Sequence, residues 1–82
     1  MPTVLRVDGF QVRIYLPPRE HGPAHVHVIK GDHQVLIDLN TPAVGVMVRR
    51  VVGMSRPDVH HAVALVAAHA QSLRNEWRKY HG

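Results

Sequence analysis

Two histidines set two residues apart, in Ala24-His25-Val26-His27-Val28, are the side chains best equipped for chemistry in this chain. If that segment is extended, both imidazoles share one face with side chains roughly 7 Å apart. Such a pair has three uses. It can serve as general base and general acid on one phosphodiester. It can bridge a metal, with Glu20, His21, Asp32 or His33 as third ligand. Or it can simply be the polar side of a half-solvated strand. No acidic cluster accompanies the pair, so the expected site holds no metal and calls for no cofactor.

Charge narrows the range of partners. Ten Lys and Arg against six Asp and Glu give a formal charge of +4 and a pI near 10.4. Only Lys30 and Lys79 among the ten are lysine. The planar fork of arginine suits phosphate oxygens or the carboxylates of an acidic protein. Arg6, Arg13 and the pair Arg49-Arg50 are the candidate anion contacts, and Tyr15 is a candidate stacking platform for a base. The chain has no cysteine, which excludes disulfides, thiolate nucleophiles and cysteine-ligated zinc and suits a reducing, cytoplasmic setting. No apolar run approaches the ~20 residues of a membrane span. Met1-Pro2-Thr3-Val4 lacks the build of a signal peptide, so a mature intracellular start is expected.

The elements that must position these groups follow from periodicity. Thr3 to Val7 reads as a strand, Asp8-Gly9 as a two-residue hairpin turn, and Phe10 to Leu16 as the alternating return strand. Segment 17–23 carries three prolines without backbone donors and reads as a loop. Residues 24–30 resume alternation, Gly31-Asp32 turns the chain, and 34–39 returns. Residues 44–52 are apolar around Arg49-Arg50, and read as a fifth strand at about 45–51 or as a packed irregular segment. As a strand, that segment would send the two arginines to opposite faces.

Ser55 reads as an N-cap with Asp58 completing a weak capping box, and Pro57 suits the first turn. Val59, Val63, Val66, Ala70, Leu73, Trp77 and Tyr80 recur at spacings of three and four, one stripe of a single helix at about 56–80. The expected fold is a single domain over 1–82 of the α+β class. It is an antiparallel meander of four to five strands, with one long C-terminal helix packed on one face.

Two-residue turns also set the register. Val7 should face Phe10, Leu5 Val12, Arg6 Gln11 and Val4 Arg13. Across the second turn Val28 should face Val35, Val26 Ile37, His27 Leu36 and His25 Asp38. The aliphatic residues then meet the helix, while Arg6, Gln11, Arg13, Tyr15, His25, His27, Gln34 and Asp38 form an outward polar face. A one-residue slip would exchange the two faces. In that register Asp38 fixes the tautomer of His25 and favours its charged form.

Met1-Pro2-Thr3-Val4-Leu5-Arg6, the Gly9-Phe10 turn exit, Pro23-Ala24-His25-Val26-His27-Val28 with Gly31 behind it, and Gly53-Met54-Ser55 before the helix resemble a short bacterial domain-of-unknown-function family, numbered four-one-six-zero. The likeness runs nearly the whole chain, to Glu76-Trp77. The family motif carries a second proline where this chain has Ala24. Membership implies an intracellular protein encoded beside another small gene, a component of toxin–antitoxin modules, and brings no mechanism.

Together these features lead to the expectation of a toxin–antitoxin-type component that binds RNA through a basic sheet face. Metal-independent ribonuclease chemistry is open to His25 and His27, with Asp38. The alternative is a non-enzymatic module that binds an acidic, small cognate partner protein or a nucleic acid.

Overall fold

The computed structural model describes residues 3–16, 23–41 and 45–81. Five strands, β1 (Thr3–Val7), β2 (Phe10–Arg13), β3 (His25–Lys30), β4 (His33–Thr41) and β5 (Gly45–Val52), precede two helices, α1 (Arg56–Ala68) and α2 (Ala70–His81). The strands form one antiparallel sheet in the order β1-β2-β3-β4-β5. The proline-rich segment 17–22, with Glu20 and His21, and residues 42–44 lie outside the described residues.

Both short turns do what their residue types dictate. Asp8 and Gly9 sit at φ 53° and 82°, the doubly left-handed geometry that matches strand twist. They set Val7 opposite Phe10, Leu5 opposite Val12 and Arg6 opposite Gln11. Gly31 at φ 60° begins the second turn, and all four expected pairs from Val28–Val35 to His25–Asp38 are present. The first hairpin departs from expectation at its open end. An irregularity between Thr3 and Leu5 puts Thr3, not Val4, opposite Arg13.

The segment at 45–52 is a strand, paired along β4 with two irregularities. β2 stops at Arg13, three residues short of the expected end, although Ile14 stays fully buried.

The inner face carries Val12, Val26, Val28, Val35, Ile37 and Leu39, all at 0% exposure. Ala62, Leu65 and Val66 of α1 and Leu73 of α2 close over them. Burying each such aliphatic side chain contributes about 1.5–3 kcal/mol. Ser55 caps α1 by accepting from the Asp58 N–H at 3.3 Å, and Pro57 occupies the first turn.

One long helix was the expectation, and the structure has two. The break is at His69, whose Nδ1 donates to the Leu65 carbonyl at 2.9 Å while its own N–H is shared between the Leu65 and Val66 carbonyls. A side chain that bonds back onto its own helix competes with the ladder and bends it. The apolar stripe runs on through the break, because the Leu73 N–H still bonds the His69 carbonyl. Beyond the break, α2 lies against the strand ends where β2 finishes, β3 begins and β4 finishes. Arg74 Nε donates to the Leu39 carbonyl at 3.0 Å and to Asn40 Oδ1 at 2.9 Å, and His81 Nε2 donates to the Tyr15 carbonyl at 2.8 Å. No helix among the described residues is long and apolar enough to cross a membrane.

Candidate functional site

The alternation of β3 places His25 and His27 on one face, away from Val26 and Val28, with ring centroids 5.3 Å apart. That much agrees with the sequence. The expected solvation of the pair does not hold: His25 is 1% exposed and His27 7%.

The broken helix supplies one cover. α2 brings Trp77 to 5.1 Å from the His25 ring, and Trp77 in turn stacks on His81 at 3.8 Å. Tyr15 meets His27 edge-on at 4.4 Å. Tyr15 is thus engaged with a histidine ring, and it is half-buried.

Hydrogen bonds fix the orientation of both rings. His25 Nδ1 lies 3.0 Å from the Pro23 carbonyl, which can only accept, so Nδ1 carries a proton. His27 Nδ1 lies 3.2 Å from Gln34 Oε1. Asp38 stands opposite His25 in register, yet its carboxylate receives Arg49 Nε at 2.7 Å. Arg49 also reaches the Pro23 carbonyl at 3.4 Å, so one backbone oxygen joins the histidine and the ion pair. Pro23 thus orients the His25 ring through Nδ1, with Asp38 opposite in register and bonded to Arg49. General acid–base chemistry needs a pair that reaches a scissile bond, and in this conformation both rings are largely shielded from solvent.

The arginines are dispersed. Arg6 on β1 is exposed, and Arg13 on β2 is half-buried with Nη2 bonded to Gln11 Oε1 at 2.6 Å. On β5, Leu36 pairs with Arg50 and Ile37 with Val48, so Arg49 is an extra residue in a bulge. That bulge corrects the expectation that Arg49 and Arg50 take opposite faces. Arg49 is turned to Asp38, on the side where register places Arg50. Asp32 is exposed in its turn and His33 rests over Gly53, and the described residues contain no cluster of three or more His, Asp or Glu able to hold a metal.

Charge pairing among the described residues is uneven. Asp8 pairs with His61, Asp38 with Arg49, Asp58 with Lys30 and Glu76 with Lys79. Arg6, Arg50, Arg56 and Arg78 have no anionic partner among the described residues, and all four are exposed. Exposed apolar side chains gather on β5, with Met47 at 49%, Val51 at 45% and Val52 at 38%. Sequence reasoning missed this surface. Its only signal was an apolar run longer than an inward face needs.

The model of one protein family matches residues 9–78. The chain belongs to that family, a domain of unknown function, DUF4160. In this DUF4160 chain the matched span includes the buried histidine pair, the β5 edge, α1 and most of α2. No curated protein and no solved structure matches it.

Proposed function

We propose that this DUF4160 protein is a non-enzymatic binding module, the basic member of a toxin–antitoxin-type pair, which recognises an acidic partner protein. The observation that carries this reading is the burial of His25 and His27, beside an exposed surface that includes guanidinium groups unpaired among the described residues and the apolar side chains of β5. Arginine and methionine beside exposed valines suit a protein partner, since the cores of protein interfaces are enriched in Arg and Met. Interfaces with nucleic acid are more polar and more strongly positive.

Co-expression with the product of the adjacent gene, followed by size-exclusion chromatography and an RNA-cleavage assay, tests the proposal. A stoichiometric complex without cleavage is expected. RNA cleavage that is lost in His27→Gln would overturn it and restore the ribonuclease reading. RNA binding without a partner remains the second reading, favoured by the exposed Arg6 and Arg50 on one sheet face; Arg13 would add a contact there, and Tyr15 would first have to leave His27. It requires an affinity that falls steeply with salt, with a log–log slope near −0.7 for each phosphate contacted on a single strand.

A further inference from the structure

We infer that the outer edge of β5, with the hollows between it and the helices, holds an extended segment of the partner in which apolar residues alternate with acidic ones. The inference rests on the partner-binding reading above and specifies where and how that partner sits.

Among the described residues, β5 is paired on one side only, by β4. Its eight residues present an open edge of roughly 26 Å at the usual rise per residue. Three hollows follow this edge. One of about 680 Å³ lies between Val48 and Val59, Val63 and Ala64 of α1. A second, of about 400 Å³, lies between Val51, Met54 and Val59. A third, of about 380 Å³, lies between Val46 and the Ala67–Ala68 turn of the helices. On the sheet side each hollow is lined by β5 and by no residue of β4, which places all three at the rim.

Their spacing specifies the shape of the occupant. Val48 and Val51 pair with Ile37 and Val35, which are two residues apart on β4, because the bulge at Arg49 takes up the extra residue. Val46 lies two residues before Val48. The hollows therefore repeat with the side-chain period of an extended strand, about 6.8 Å. A strand-like ligand puts alternate side chains into them, and aliphatic walls favour aliphatic side chains. Strand addition to an exposed edge is an established way to bind an extended segment.

Charge specifies the intervening residues. Arg56 and His60 border the largest hollow and Arg74 the third, and no Asp or Glu lines any of the three. Arg56 has no anionic partner among the described residues. A second copy of this chain fits less well. Two β5 strands paired antiparallel about their middle would bring Arg49 and Arg50 of both copies together, and like charges on adjoining strands repel.

The test uses a fluorescent ten-residue peptide alternating Val and Glu, a matched Val–Lys peptide and a fluorescent oligouridine, read by anisotropy against the full chain. The Val–Glu peptide is expected to bind at least tenfold more tightly than Val–Lys. Arg56→Glu and Ala64→Arg should each weaken it at least tenfold, whereas Arg78→Glu, with the same charge change as Arg56→Glu, should weaken it less than twofold. Arg56 and Ala64 are exposed, and circular dichroism melts of both variants should match the parent. If Arg78→Glu weakens binding as much as Arg56→Glu, or if Ala64→Arg has no effect, the groove is overturned while acidic-partner recognition stands. If Val–Glu binds no better than Val–Lys, or only oligouridine binds, both fall. A dimer in light scattering that Ala64→Arg dissociates would overturn the partner segment in favour of a second copy.

Discussion

The start of β3 and the edge of β5 have opposite resources and opposite exposures. At the start of β3 stand two imidazoles, an indole and a phenol, side chains that catalyse or stack in many proteins, and the imidazoles are enclosed and bonded to Pro23 and Gln34. On β5 the side chains are mostly valine, with a methionine and two arginines, and there the surface is open and its apolar groups are exposed. Residue type alone therefore does not tell which of the two regions is open to solvent. What decides between them is which one the second helix covers.

The largest effect should come from removing the better buried ring. His25→Ala deletes a side chain at 1% exposure and leaves a space beside Trp77. Large-to-small changes of this kind cost about 2–5 kcal/mol, a sizeable part of the stability of so small a chain. Urea denaturation of His25→Ala should show a loss of about 3 kcal/mol. A catalytic, solvent-facing histidine would behave otherwise, leaving stability within about 0.5 kcal/mol of the parent. That second outcome would break the comparison.

Sequence showed which residues share a face and not what lies over it. Asp8-Gly9 and Gly31-Asp32 are local signals, since left-handed backbone is costly for most residues, and they set the register for Val7–Phe10, Arg6–Gln11 and Leu5–Val12 and from Val28–Val35 to His25–Asp38. The bulges at Val4 and Arg49 carry no such mark, because a bulge is compatible with most side chains. The break at His69 was equally hidden. Neither Gly nor Pro stands there, and the stripe from Val59 to Tyr80 keeps its spacing through it. α2, beyond that break, brings Trp77 to His25, a contact between distant segments that no local residue marks.

The junction between β5 and α1 offers a second test, because it holds the helix against the open edge. Gly53 has φ 74°, and a Cβ there would lie 2.8 Å from His33 Nδ1. Gly53→Ala therefore meets both backbone strain and a clash, with an expected loss of about 2 kcal/mol. His33 is exposed, so Gly53→Ala combined with His33→Ala should recover the steric part. No recovery in the double variant would mean that the strain is entirely in the backbone. Ser55→Ala removes the cap of α1 and should cost about 1 kcal/mol, read from the same denaturation curves.

The smallest effect is expected on the open edge, and it sharpens the contrast most. Arg50 is exposed, opposite Leu36 across the sheet and without an anionic partner among the described residues. Nothing in its surroundings depends on its charge for folding, so Arg50→Gln should change stability by less than about 0.5 kcal/mol. Arg49→Gln removes the ion pair to Asp38 and the contact to Pro23, and should cost up to about 1 kcal/mol, the usual range for a partly exposed pair. The adjacent arginines would then separate by role, one tying β5 to the start of β3 and the other contributing nothing to the fold. Equal losses in the two variants would show that the edge is as structural as the histidine corner.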